Sequence, residues 1–92
     1  MNTAELRARL VNGLTTYDRR QSRQRHYNPH ALALYVGRID DVLADVEAGA
    51  AVEAALRAAF CGAVLRAACR AAGVEPQSDD HSAVCYRPAS DP

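Results

Sequence analysis

The chain has 92 residues, 49% of them hydrophobic, and its 11 arginines balance 11 acidic residues to a net charge of zero. This length suits one small domain and excludes two, and three cysteines without close pairs exclude a disulfide framework. No run approaches the roughly 20 apolar residues of a membrane span, and the N-terminus lacks an apolar signal segment, so we expect a cytoplasmic protein.

The first predicted helix covers about residues 3–17 or extends further. Asn2 can cap it, with Glu5 three residues later as in a capping box. An apolar stripe at helical spacing then lies on one face, made of Leu6, Leu10, Leu14 and Tyr17. The stripe continues past the potential stop at Gly13, which predicts an uninterrupted helix. Residues 18–28 are nearly devoid of apolar side chains and predict either a solvated extension or a linker.

The second predicted helix covers residues 29–48. Asn28 is its expected N-cap, and Pro29 suits the first helical position because the missing N–H needs no partner there. Seven apolar side chains fall within an arc of about 120°, namely Leu32, Tyr35, Val36, Ile39, Val42, Leu43 and Val46. Gly49 is expected to end the helix in a left-handed conformation. Leu34 falls outside the arc and hints at protein binding or a homo-oligomer.

Two further helices are predicted over residues 51–60 and 62–72, because the apolar face rotates near Gly62. Cys61 and Cys69 are expected on the apolar face of the second of these, which Gly73 and Pro76 should end. Residues 1–76 should thus form one all-α domain, a compact bundle of three to four short helices. Residues 77–92 predict a polar, flexible C-terminal tail.

A basic segment follows the first helix and is the main candidate for partner binding. Its residues are Arg19, Arg20, Arg23, Arg25, His26 and Tyr27, with His30 adjacent. If the segment is helical, most of these side chains share one side. Guanidinium groups there can bind phosphates, with a tyrosine stacking on a base, or can bind an acidic protein surface. A solvated segment without a partner is the third interpretation.

The second helix offers an alternative, acidic contact surface. It consists of Asp40, Asp41, Asp45 and Glu47. Such carboxylates can imitate the phosphates of a nucleic acid and so cover a protein that binds one. Acidic residues are equally typical of the solvent-exposed side of a helix that has no partner.

No catalytic residues, cofactor or metal site is predicted. One can imagine a metal site made of Cys61, Cys69, His81 and Cys85, but these residues lack the close Cys-x-x-Cys spacing of metal sites. His26, His30 and His81 lie far in the sequence from Cys61 and Cys69, and no glycine-rich phosphate loop is present.

The hypothesis from sequence is therefore a small non-enzymatic module that binds a protein or ribonucleoprotein. The alanine excess and the absence of lysine are typical of a GC-rich bacterial genome. Small proteins without catalytic motifs in such genomes are often regulators or inhibitors from mobile elements, such as antitoxins or anti-CRISPR proteins, which is an association at the level of class. The alternative is a nucleic-acid-binding regulator that uses the basic segment Arg19–Arg25.

Overall fold

The computed structural model describes residues 2–75, and over this range the chain forms four helices and no strand. The helices are α1 (Thr3–Gln21), α2 (Ala31–Glu47), α3 (Val52–Ala59) and α4 (Gly62–Ala72). Helices α1 and α3 each pack against both α2 and α4, so the four helices close a ring. This confirms the predicted all-α bundle. The predicted tail 77–92 lies outside the described residues.

The core lies inside this ring and is built from aliphatic side chains and alanines. Its members are Leu6, Leu10, Leu14, Ile39, Val42, Ala55, Leu56, Phe60, Leu65, Ala68, Cys69 and Ala72. Burying each leucine contributes on the order of 2 kcal/mol to stability. In the described part of the chain, no helix has the length and apolar character needed to cross a membrane.

Helix α1 is longer than its apolar stripe. Asn2 Oδ1 accepts the N–H of Glu5 at 2.7 Å, as the cap predicts, but the Glu5 carboxylate pairs with Arg9 at 2.9 Å and does not close the capping box. The helix passes through Gly13 without interruption and ends at Gln21. The segment 18–28 is therefore helical only at its start, and the chain then turns until α2 begins.

Helix α2 begins at Ala31, so the predicted start at Pro29 with Asn28 as N-cap is wrong. The side chain of Asn28 instead accepts the N–H of His30 at 2.9 Å. Asparagine readily forms such a turn with the backbone two residues later, and this turn competes with a helical start. His30 takes the N-cap position without a side-chain hydrogen bond to the helix.

The ends of α2 and α4 are confirmed by left-handed glycines. Gly49 has φ +109°, and the N–H of Ala50 donates to the carbonyl of Asp45 at 2.9 Å. Gly73 has φ +78°, and Val74 makes the equivalent bond to Cys69 at 3.0 Å. Both ends are Schellman motifs, in which the reversed backbone satisfies carbonyls that the helix leaves open.

The predicted break between α3 and α4 is also confirmed. Phe60 and Cys61 are extended, and α4 starts at Gly62. Phe60 turns into the core, whereas Cys61 is exposed. The prediction that Cys61 lies on the apolar face of the fourth helix is thus wrong, because it precedes the first helical residue and does not share the helix face.

Helices α1 and α4 are antiparallel and cross closely at Gly13. A Cβ atom on Gly13 would lie 2.3 Å from the Cβ of Ala71, far inside van der Waals contact, and Arg9 approaches Gly73 one turn away. Only glycine fits at position 13 while Ala71 stays in place. The glycine that resembled a helix stop is therefore a packing residue.

Gly13→Ala should destabilise the protein by about 1–3 kcal/mol, because overpacking outweighs the better helix propensity of alanine. Gly37→Ala is the matched control, since Gly37 lies inside α2 with no atom within 4 Å of a Cβ placed there. It should stabilise by up to about 1 kcal/mol. Urea unfolding followed by circular dichroism measures both. Equal stabilisation by the two substitutions would contradict the close crossing.

Candidate binding surface

The predicted basic segment divides between a helix end and a turn. Arg19 and Arg20 lie in the last turn of α1, while Arg23, Arg25 and His26 lie exposed in the turn that follows. Of the two alternatives left open for this segment, the helical one holds only as far as Gln21, where α1 ends, so these side chains do not share one side of a continuous helix. The backbone N–H of the next residue, Ser22, still donates to the backbone carbonyl of Asp18 at 2.9 Å. The Ser22 hydroxyl donates to the backbone carbonyl of Arg19 at 2.6 Å.

Arg20 faces two arginines that the sequence analysis did not select. A groove of about 540 Å³ runs between α1 and α4 and is lined by Arg20, Arg66 and Arg70. We call it the arginine groove. Its remaining lining residues are Gly13, Thr16, Tyr17, Gln21, Ala63, Ala67 and Ala71. The alanines repeat every four residues along α4. This row of small residues beside two arginines was the feature of the sequence that could have indicated the groove.

Several arginines around the groove and the adjoining turn form no ion pair with the described part of the chain. Arg19, Arg20, Arg23, Arg25 and Arg70 form no ion pair with residues 2–75, whereas Arg7, Arg9 and Arg57 each pair with an acid. A guanidinium group presents five donors in a planar fork that matches a carboxylate or a phosphate. The arrangement can therefore bind anionic groups.

A buried aspartate lies beneath the turn. Asp18 is only 8% exposed, and its Oδ2 accepts the hydroxyl of Tyr27 at 2.7 Å. Its Oδ1 is closed off from solvent, and no donor in the described residues reaches it. The sequence analysis placed Asp18 in a solvated segment, although it lies four residues after Leu14 and so continues the buried stripe of α1.

Three tyrosines surround this aspartate. The rings of Tyr17 and Tyr35 lie 6.3 Å apart, and Tyr35 in turn meets the edge of Phe60 at 6.2 Å. Tyr17, Tyr27 and Tyr35 line a pocket of about 370 Å³ together with Asp18. We call it the tyrosine pocket. Its polar lining is completed by Gln21, Gln24, Arg25, His26 and Asn28.

Two phenols of the tyrosine pocket, those of Tyr27 and Tyr35, have raised pKa values. The hydrogen bond to Asp18 raises the pKa of Tyr27, with desolvation and the aspartate charge adding to it. Burial raises the pKa of Tyr35, and the proximity of Tyr17 and Asp18 raises it further. The main causes therefore differ, a hydrogen bond for Tyr27 and burial for Tyr35, although the Asp18 carboxylate contributes to both shifts.

The acidic residues of α2 are partly engaged inside the molecule. Asp40 pairs with Arg7 at 2.5 Å, and Glu47 accepts the hydroxyl of Thr3 at 3.5 Å. Asp41 and Asp45 are exposed. The pair with Arg7 is exposed on both sides and contributes little stability, but it neutralises one of the four carboxylates that this surface offers to a partner.

Two other predicted positions lie outside both cavities. His30 is exposed at the start of α2 and lines neither the groove nor the pocket. Leu34 is 62% exposed, as its position outside the apolar arc indicates.

The cysteines of the described part have different environments. Cys69 is buried, and burial raises the pKa of its thiol, whereas Cys61 is exposed. Across residues 2–75, no group of three or more histidine, cysteine or acidic side chains is placed to hold a metal ion. His81 and Cys85 lie outside the described residues.

The arginine groove and the tyrosine pocket share Tyr17 and Gln21 and form one continuous surface. No protein-family model, curated protein or solved structure matches the chain. The chemistry of this surface is therefore the basis for proposing a function.

Tyr27→Phe should lower stability at neutral pH and flatten its alkaline dependence. The pKa of Tyr27 is raised in the folded protein, so the Tyr27–Asp18 hydrogen bond contributes fully to the free energy of unfolding below the ordinary pKa of 10.0. This contribution is lost as the pH rises through the higher pKa of the folded state. Tyr17→Phe is the control, because the Tyr17 hydroxyl makes no hydrogen bond within residues 2–75. Thermal unfolding between pH 7 and 11 measures this, and identical curves for Tyr27→Phe and wild type would contradict it.

Proposed function

We propose that the protein is a non-catalytic binding protein that recognises an acidic segment of another protein through the arginine groove. The observation that carries this proposal is the convergence of Arg20 from α1 with Arg66 and Arg70 from α4 on one concave surface. A partner that covers this surface would be held by paired hydrogen bonds between guanidinium and carboxylate groups. By covering part of its partner, a protein of this size would act as a regulator or inhibitor.

The shape and lining of the groove support a protein segment as the ligand. Alanines and Gly13 line it between the arginines, so a helix or extended strand can lie close to the backbone of α4. Protein interfaces typically have an apolar centre, and arginine is one of the residues that contribute most to their binding free energy. The exposed Asp41 and Asp45 lie on α2, which does not line the groove, so they do not repel an acidic partner there.

The aromatic residues favour a protein over single-stranded nucleic acid. Proteins that bind single strands without sequence preference stack bases on exposed aromatic rings. In residues 2–75 the four aromatic side chains, Tyr17, Tyr27, Tyr35 and Phe60, are all buried or half-buried. Phosphate contacts alone would leave binding that is weak and strongly dependent on salt.

The partner can be identified by immobilising the protein and capturing proteins from a nuclease-treated lysate at two salt concentrations. For the captured protein, Arg20→Ala or Arg70→Ala should each raise the Kd by about tenfold or more, equivalent to about 1.4 kcal/mol. Arg38→Ala is the matched control, since Arg38 is exposed on α2 away from the groove. It should leave the Kd within about twofold, because isolated surface charges contribute little.

Two results would contradict this proposal. If Asp41→Asn and Asp45→Asn weaken partner binding while the groove variants do not, the acidic surface is the contact. If only nucleic acid is recovered before nuclease treatment, and its affinity falls steeply with salt, the nucleic-acid alternative is correct.

A further inference from the structure

The buried Asp18 carboxylate is incompletely satisfied. Its Oδ2 accepts one hydrogen bond from Tyr27, while its Oδ1 accepts none from residues 2–75. An ionised carboxylate has about four acceptor positions, and buried polar atoms in folded proteins are nearly always hydrogen-bonded. The surroundings of Oδ1 therefore call for a donor that residues 2–75 do not supply.

We propose that the tyrosine pocket binds a primary alkylammonium group, such as the side chain of a lysine, with Asp18 as its counter-ion. An ammonium group carries a positive charge and three donors. Asp18 lines the pocket and offers the charge, and its Oδ1 is an unused acceptor once the neighbouring side chains move aside. Gln21 and Gln24 also line the pocket, and their amide oxygens can accept the remaining donors. The pocket thus matches the ligand in both charge and hydrogen bonding.

The aromatic walls add to this match. The faces of phenol rings carry partial negative charge and attract cations, most strongly where water is excluded. Tyr17, Tyr27 and Tyr35 all line the pocket, and a volume of about 370 Å³ accommodates a four-carbon stem with its ammonium group. The chain contains no lysine, so a lysine side chain in this pocket comes from another molecule.

The turn between α1 and α2 lines the pocket and should control both the access of an ammonium group and its affinity. Oδ1 is closed off from solvent, so an incoming ammonium requires side chains of this turn to rotate. Arg25 and His26 also line the pocket, and the positive charge of Arg25 opposes a second cation. Removing that charge should strengthen binding, an effect with the opposite sign to that of removing Asp18.

The direct test is a titration of the ¹⁵N-labelled full chain with n-butylammonium and, in parallel, with the neutral analogue butan-1-ol. Butylammonium should bind about tenfold more tightly, because its donor carries a positive charge opposite to that of the carboxylate, whereas the alcohol donates a neutral hydroxyl. Chemical-shift changes should centre on Asp18, Tyr27 and Tyr35. Equal affinity for the amine and the alcohol, or no binding of either, would overturn the proposal and leave Oδ1 with water as its donor.

Two variants sharpen this titration. Asp18→Asn keeps the shape and the acceptor for Tyr27 but removes the charge, and it should abolish the preference for the amine. Arg25→Gln should tighten amine binding by a few-fold, and it carries the test if Asp18→Asn does not fold. A preference for the amine that survives in Asp18→Asn, or that weakens in Arg25→Gln, would contradict the role of the carboxylate.

The source of the ammonium group can be distinguished with uncharged peptides. One peptide carries a single lysine and the other carries norleucine in its place. Tighter binding of the lysine peptide than of butylammonium identifies a partner's lysine, and equal binding identifies a small amine. The test is independent of the proposed partner, because the amine titration contains no partner and depends on Asp18, which does not line the arginine groove.

Discussion

The close crossing of α1 and α4 at Gly13 is the constraint on which the functional surface depends. At this point the missing Cβ of a single residue lets α4 approach until Ala71 occupies the space of a side chain. Small residues allow helix backbones to approach closely, and the distance between helices follows from the side chains at the contact. Because the helices are antiparallel, the chain beyond this crossing places the end of α1 beside the start of α4.

The two candidate sites are consequences of that placement. The arginine groove lies between the two helices on the far side of the crossing from Arg9, and the tyrosine pocket lies next to it where the chain leaves α1 for α2. Arg20 lines the same groove as Arg66 and Arg70 because the two helices lie side by side. Asp18 is buried because it continues the core stripe of α1 by one more turn, and Tyr27 returns from the turn to bind it.

Sequence reasoning predicted the elements better than the surface. Periodicity and glycine positions indicated the break near Gly62 and the ends at Gly49 and Gly73, because these depend on local backbone preferences. The start of α2 was misplaced since a turn at Asn28 competes locally with a helix cap. That Arg20 lines the same groove as the arginines of α4 depends on the packing of segments about 50 residues apart, which no local pattern encodes.

The central claim is that the arginine groove, and not the acidic side of α2, contacts the partner. Arginine-specific chemical footprinting of the partner complex, read by mass spectrometry, tests it most directly. The account predicts that Arg20, Arg66 and Arg70 lose reactivity on binding while Arg38 reacts as in the free protein. Protection of Arg38 with unchanged reactivity of the groove arginines would contradict it and move the contact surface to α2.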